Sequence, residues 1–438
     1  MDLSEEQILT LAPDESSKKA GKDLAGSAKW VSKGINELAL WGECQGSGSK
    51  PYQTQVDITN IAFKCSCPSR KFPCKHGLGL LLFYSRQKAA FTENKAPAWV
   101  EDWISKRAEK VEKRAEESTK QEGKPADGAA QVKRQLGRKE KVNDGIDELL
   151  LWIRDIVRNG IIGIPEKGPG WFENIARRMI DAQAPGLAGM IRVLAGTPTY
   201  KEGWQTEFME QLLRIYMTIR GYRNVLALNE FLQSDMHALV GFTQNQEELK
   251  EQQGVNDNWL VLGKQVTEED NLTTERYWLF GSRTRQYALI LQFLVRGQGG
   301  SQQLLTPGMQ LEAELVFFPS ITPLRAIIKR QVNTRVRPAC MGFTNWTEVR
   351  AFENELSSKL PVQYERPYII TQLLPVRYLQ QWWLQDNRQQ LMPLKEPYRN
   401  IWKLLAVSGG MPLDMAVVGQ EKGYEPLGFW QENDYKLV

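Results

Sequence analysis

The chain is poor in the side chains that most often carry chemistry: 438 residues hold two histidines and five cysteines. Histidine is the side chain whose ordinary pKa lies nearest neutrality, so its scarcity leaves little material for acid–base catalysis. Long apolar runs are also missing. No stretch reaches the roughly 18 residues that a bilayer-spanning helix needs, and no membrane partner is expected. An excess of charge of one sign is nearly absent as well. The 56 Lys and Arg against 52 Asp and Glu leave a net +4, too little to mark a nucleic-acid binder by itself. The opening Met1-Asp2-Leu3-Ser4-Glu5-Glu6 is acidic and lacks the charged-then-apolar order of a secretory leader. Cys44 and Cys340 stand alone in the sequence, as expected in a reducing compartment, so the expected location is cytoplasmic.

Catalytic patterns are equally thin. No His-Glu-x-x-His, His-x-Glu or Gly-x4-Gly-Lys-Ser/Thr arrangement occurs. Gly42-Glu43-Cys44-Gln45-Gly46 has the spacing of a nucleophile elbow, but it falls between a strand and a hairpin loop, so a core cysteine is expected. Gly297-Gln298-Gly299-Gly300 reads as a loop between strands with no helix to bind phosphate, and Glu268-Glu269-Asp270 as a polar turn. No catalytic residue is assigned.

Against that scarcity, four of the seven Cys and His residues gather within twelve positions, as Cys65, Cys67, Cys74 and His76. Three thiols and an imidazole are the donors that tetrahedral Zn²⁺ takes in a closed structural site. The spacing has a physical reason. In an extended segment the side chains at i and i+2 share a face, so Cys65 and Cys67 reach one ion. Pro68 sets a turn, Ser69 to Phe72 form a short loop, and Pro73 favours an abrupt helix start at Cys74 and His76. Gly77 to Tyr84 continues as an almost wholly apolar helix that must be buried. Upstream, Tyr52, Thr54, Val56 and Ile58 alternate with Gln53, Gln55, Asp57 and Thr59, the pattern of a half-buried strand. Gly46 to Pro51 reads as a hairpin loop after a strand that carries Leu38, Leu40 and Cys44 on one face. A unit this small buries too little apolar surface alone, so a metal would contribute to its folding.

Cys65-Ser66-Cys67-Pro68 followed by Pro73-Cys74-Lys75-His76-Gly77 resembles the SWIM zinc finger, a β-β-α module with the ligand pattern Cys-x-Cys…Cys-x-His. The resemblance covers residues 25–85. The rest of the chain resembles the long bacterial SWIM zinc finger proteins, which are typically encoded beside MoxR-type AAA+ ATPases and von Willebrand factor A domain proteins. That resemblance implies protein or DNA binding, with a part in an ATPase-linked assembly. Iron–sulfur clusters of the CDGSH type also begin Cys-x-Cys, but they place the histidine four residues after the third cysteine, whereas His76 follows Cys74 by two. A catalytic zinc needs an open position, and four protein ligands close the shell. The expected cofactor is one structural Zn²⁺.

Between Lys106 and Lys141 twelve Lys and Arg face seven Asp and Glu, a net +5 that leaves −1 for the remainder. The segment has no aromatic residue and few aliphatic ones, so it reads as a solvated linker with helical stretches near Glu101 to Thr119, or as a phosphate-binding tether. Beyond it, Ile146, Leu149, Leu150, Ile153, Ile156 and Val157 form a helical stripe opened by Asn143 or Asp144 and closed at Gly160. Further stripes run through Phe172 to Ile180, Leu187 to Leu194, Trp204 to Ile219 and Val225 to Leu239. Short connections between them predict an antiparallel bundle or a stack. His237, in the last stripe, has no nearby Cys or His and is expected to be a packed residue. After Gly254 come five β-rich runs, at Trp259–Leu262, Arg276–Phe280, Tyr287–Val295, Gln310–Phe318 and Arg325–Arg330, which predict a barrel or curved sheet. Thr347 to Leu360 reads as a helix and Trp382 to Leu391 as a hairpin turning at Asp386-Asn387. Trp402–Val407 and Pro426–Trp430 read as further strands or short helices.

The expected fold is therefore α+β and multi-domain. A small β-β-α zinc module occupies 1–100 (core 25–85), a charged linker 101–141, a helical domain 142–250 and a β-rich C-terminal region 251–438. The expected function is that of a zinc-binding, non-enzymatic adaptor for protein–protein contact. The alternative is DNA binding through the zinc module, where Lys64, Arg70, Lys71 and Lys75 flank the cluster, and through the basic linker. Those cations also offset the −1 that three thiolates leave on Zn²⁺.

Overall fold

The computed structural model describes residues 5–438 except 47–49, 59–61, 70, 92–94, 107–127, 270–271, 296–304, 334–341, 363–364, 421–422 and 432–433. Two short helices, α1 (Glu5–Thr10) and α2 (Glu15–Lys22), precede four strands: β1 (Trp30–Ile35), β2 (Ala39–Cys44), β3 (Tyr52–Asp57) and β4 (Ala62–Cys65). The strands form an antiparallel meander in chain order, and α3 (Lys75–Arg86) follows. The β-β-α unit is β3, β4 and α3, with β1 and β2 widening its sheet. Every residue of α3 from His76 to Phe83 is buried. Ile8 of α1, Leu11 just after it and Leu24 just beyond α2 join Leu40, Val56 and Phe63 of the sheet around it.

The strand pattern is half right. Thr54 and Val56 are buried as expected, but so are Gln55 and Asp57, expected on a wet face. Their cross-strand partners Trp41 and Ala39 pack against Val100, Trp99 and Ile104. These belong to or border α4 (98–106), which covers the second face of the sheet. The stretch 101–106 of the expected linker is thus part of a packed helix. Most of the rest of that linker, 107–127, lies outside the described residues.

The helical region begins earlier than the capping residues imply. α5 runs Gly128–Asn159, so Asn143 and Asp144 lie inside it rather than at its start. Arg, Lys, Gln, Glu and Leu are all good helix formers, and no proline interrupts them before the apolar stripe, so Gly137 alone does not break the helix. Gly160, at φ +73°, ends the helix as expected. α6 (Pro169–Asp181), α7 (Pro185–Ala195) and α8 (Trp204–Arg223) match their stripes. The fifth stripe breaks in two: a 3₁₀ turn at Val225–Ala227, then α9 (Glu230–Val240), where the Asn229 side chain accepts the Leu232 N–H at 2.9 Å. Leu149, Ile153, Ile175, Leu187, Phe208 and Ile215 fill a common core. Val157, Ile180 and Tyr216, counted in the stripes, are 60%, 43% and 40% exposed, because 3.6-residue periodicity rotates the ends of a stripe out of the core. His237 is half-buried; its Nδ1 donates to the Gln233 carbonyl at 2.7 Å and its ring meets Tyr222 and Phe242.

After α10 (Gln246–Glu251), the five β-rich runs become β5 (Val255–Glu269), β6 (Leu272–Gly281), β7 (Tyr287–Val295), β8 (Gln310–Phe317) and β9 (Arg325–Asn333). They close a barrel in the order β5-β6-β7-β9-β8, with β7 and β9 paired in parallel. α11 (Trp346–Lys359) leads into β10 (Arg366–Tyr378), β11 (Gln381–Gln385), β12 (Leu391–Pro393), α12 (Ile401–Ser408), β13 (Leu413–Gln420), β14 (Gly423–Gln431) and β15 (Asp434–Leu437). These strands form one sheet, ordered β12-β11-β10-β13-β14-β15. Its face shares a core with the barrel, where Leu260, Trp278 and Phe280 meet Ile369, Ala416 and Val418. The hairpin at Asp386 is present. The Asp386 carboxylate accepts the N–H groups of Arg388 and Gln390 and, across the sheet, that of Trp346 at the start of α11.

One buried carboxylate holds the barrel hairpin. Asp257 is fully buried and accepts the N–H groups of Asn258, Arg283 and Thr284 at 2.6, 3.0 and 2.7 Å and the Thr284 hydroxyl at 2.5 Å. Burial pushes its pKa up, but the Thr284 hydroxyl and the three amides together outweigh it and hold the carboxyl below its ordinary value. A group lowered in this way stabilises the fold above its unfolded pKa, near ~3.9, and the contribution fades as pH falls through the folded value. Asp257→Ala is expected to cost about 3 kcal/mol at neutral pH by leaving these donors unpaired. Urea titrations at pH 7 and pH 3 check this: the gap between variant and wild type should shrink on acidification.

Candidate metal centre

The centre forms where the last strand of the meander hands over to α3. β4 pairs with β3 through Thr54 opposite Cys65. Beyond the strand end, Ser66 N–H donates to the Gln53 carbonyl and Gln53 N–H donates to Ser66 Oγ, both at 2.9 Å. This two-way clamp keeps Cys65-Ser66-Cys67 extended, so both thiols face the same side. The chain then turns, and Cys74 arrives as the residue capping α3, with His76 inside its first turn.

The four expected residues come together. One donor atom from each of Cys65, Cys67, Cys74 and His76 lies within 4.8 Å of all the others. Tetrahedral bonds of the Zn–S length place sulfurs about 3.8 Å apart, which this spread accommodates. His76 Nδ1 is 3.7 Å from Cys65 Sγ, and Thr54 Oγ1 is 3.2 Å from the same sulfur. Cys74 and His76 are buried, while Cys65 and Cys67 are half-buried. The hydrogen bond from the Cys65 thiol holds Cys74 down to about 4 against the effect of burial, with His76 and the Gly77 N–H adding to it. The same hydrogen bond and then burial push Cys65 up, and burial pushes Cys67 up. Three sulfurs and an imidazole nitrogen at this spacing form a donor set that suits a divalent cation and fits a single structural zinc ion. Bound there, zinc supplies a cross-link between the β4 end and the start of α3.

Residues 55–85 match the SWIM zinc finger. The SWIM match starts within β3 and ends at Ser85, so it encloses all four donors and nearly the whole of α3. Residues 137–240 match a second model, the SWIM-associated four-helix bundle domain, which spans most of α5 through α9. No curated protein and no solved structure matches the chain.

Around the SWIM centre, the flanking cations have different fates. Lys64 and Lys75 are exposed, and Arg70 lies outside the described residues. Lys71 is committed to α2: its Nζ is 2.7 Å from Asp14 Oδ2 and 2.9 Å from Ser16 Oγ. The Asp14 carboxyl is held well below the usual carboxylate range, first by Lys71 and then by Ser16 and Ser17. Nothing in the sequence pattern pairs two residues that far apart. Cys44 is fully buried in β2 and outside the cluster; burial pushes its thiol up. Cys340 lies outside the described residues. Gly79 also escaped the sequence reading. A Cβ there would meet Leu24 Cβ at 2.6 Å, so this glycine sets how closely the end of α2 lies on α3.

Purified protein should carry one zinc and show no visible iron–sulfur absorption. Cys65→Ser, Cys67→Ser, Cys74→Ser and His76→Ala should each release the metal and melt the module, while Cys44→Ala and Cys340→Ala keep the full zinc content. Elemental analysis with limited proteolysis decides it, and full zinc retention in the Cys74 variant would sink the assignment. Gly79→Ala should lower module stability by about 1–3 kcal/mol through overpacking while zinc stays bound, as read by denaturant titration.

Proposed function

We propose that this protein is a zinc-stabilised, non-enzymatic adaptor that contacts other proteins, with Cys65, Cys67, Cys74 and His76 as the zinc ligands. The observation that carries this reading is on the bundle. Met209, Leu213, Tyr216 and Met217 follow one another at helical spacing on α8 and are 40%, 55%, 40% and 44% exposed. Solvent-facing Met and aromatic side chains in one stripe are costly to leave wet and adapt well to a partner. Resemblance to the long bacterial SWIM proteins supports a MoxR-type AAA+ ATPase or a von Willebrand factor A domain protein as that partner. The cysteines at 44, 65, 67 and 74 form no disulfide, which suits the reducing cytoplasm. No helix of the described residues is long and apolar enough to cross a membrane.

A second reading, DNA binding by the zinc module and basic linker, draws on exposed Lys64 and Lys75 and on the linker's net +5. Lys71 weakens it, since its charge is already met by Asp14.

Co-purification at native expression should recover a recurrent protein partner, and Leu213→Glu with Met217→Glu should lose it without lowering the melting temperature. Absence of any recurrent partner would remove the adaptor reading. In an electrophoretic titration, DNA binding would show a shift that weakens with salt, at a slope of about −0.9 per phosphate contact.

A further inference from the structure

A cavity of about 700 Å³ lies against the metal centre at the end of the four-stranded sheet. Leu24, Ala28 and Pro68 give it an apolar floor, and the Tyr52 ring, 5.0 Å from the His76 ring, forms a wall. Two cations, Lys29 and Lys75, line it together with Cys67 and His76 of the metal centre, and no carboxylate and no arginine is among its described lining residues. Three other cations of the module are met by carboxylates. Lys18, Lys71 and Arg86 are ion-paired with Glu15, Asp14 and Glu5, whereas neither Lys29 nor Lys75 has a carboxylate partner among the described residues. The two lysines come from separate places in the chain, one just before β1 and the other at the first position of α3.

We infer that this groove receives an acidic, partly apolar peptide segment of a partner protein, its carboxylates meeting Lys29 and Lys75 and an aliphatic side chain lying on Leu24, Ala28 and Pro68. The inference rests on the protein-binding reading above and names the partner chemistry at the zinc module. Charge complementarity selects an anion, and the floor selects among anions. A nucleic-acid backbone is held by many cations, with arginine forks favoured for phosphate, and gains nothing from an aliphatic floor. Carboxylates spaced along a peptide need only two ammonium groups, and the side chains between them bury apolar surface.

The test uses the full, zinc-loaded chain and a fluorescein-labelled octapeptide of alternating Glu and Leu, followed by fluorescence anisotropy at low salt. Saturable binding is expected, weakened at least tenfold by Lys29→Glu, recovered by Lys29→Arg and unchanged by Lys139→Glu on the bundle. Lys75 stays unaltered because it lies between two metal ligands, and zinc content is measured for each variant. The inference is overturned by no saturable binding to the wild type, by equal weakening from Lys139→Glu, or by an oligothymidylate of matching charge that binds more tightly with the same Lys29 dependence. If the peptide fails while the co-purified partner persists, the groove is wrong and the adaptor reading stands.

Discussion

A helix buried from His76 to Phe83 has no face left for water, and the N-terminal region is arranged to meet that demand. The sheet covers one side of α3, and α1 and the residues just after α1 and α2 cover others through Ile8, Leu11 and Leu24. So small a core cannot hold such a helix by hydrophobic burial alone with much to spare. The metal cluster lies at the point where this helix starts, and it ties that start to the end of β4. The ligand positions, the closeness of α2 to Gly79 and the Lys71–Asp14 pair are all consequences of seating one apolar helix.

The rest of the chain obeys a related rule on a larger scale. The barrel and the six-stranded sheet hide each other's apolar faces, with Leu260 and Trp278 against Ile369 and Ala416. Polar groups make the joint where the bundle, the barrel and the sheet approach one another. Asp235 of α9 accepts the Ile321 N–H at 2.9 Å, and Arg366 of β10 donates to the Thr322 carbonyl at 2.8 Å. Leu360, after α11, enters the bundle core itself. On α8, Met209, Leu213, Tyr216 and Met217 stay exposed while Phe208, Leu212 and Ile215 fill the bundle core.

Much was legible in the residues. The four metal donors are rare types at a spacing that one extended segment and one helix start bring together, and helical and strand periods marked most elements. The misses have specific causes. Asn143 and Asp144 looked like caps, yet helix formers before them carried α5 back to Gly128. β10 and β13 went unread: β10 holds Pro367 and Pro375, and both strands are buried on one face by a distant helix or sheet rather than by a local pattern.

By itself the sequence determined the donor set, the apolar helix behind it, the amphipathic bundle helices and the five strands of the barrel, because each depends on residue type and on spacing within a single element. Only the tertiary structure decided which faces would be dry. Gln55 and Asp57 became buried because α4 returned over the sheet. Lys71 became a structural cation because α2 placed Asp14 beside it, while Lys29 and Lys75, from separate elements, came to line one groove without such a partner. Pairings across long sequence separations leave no periodic trace, so burial and charge compensation at these positions follow from topology alone.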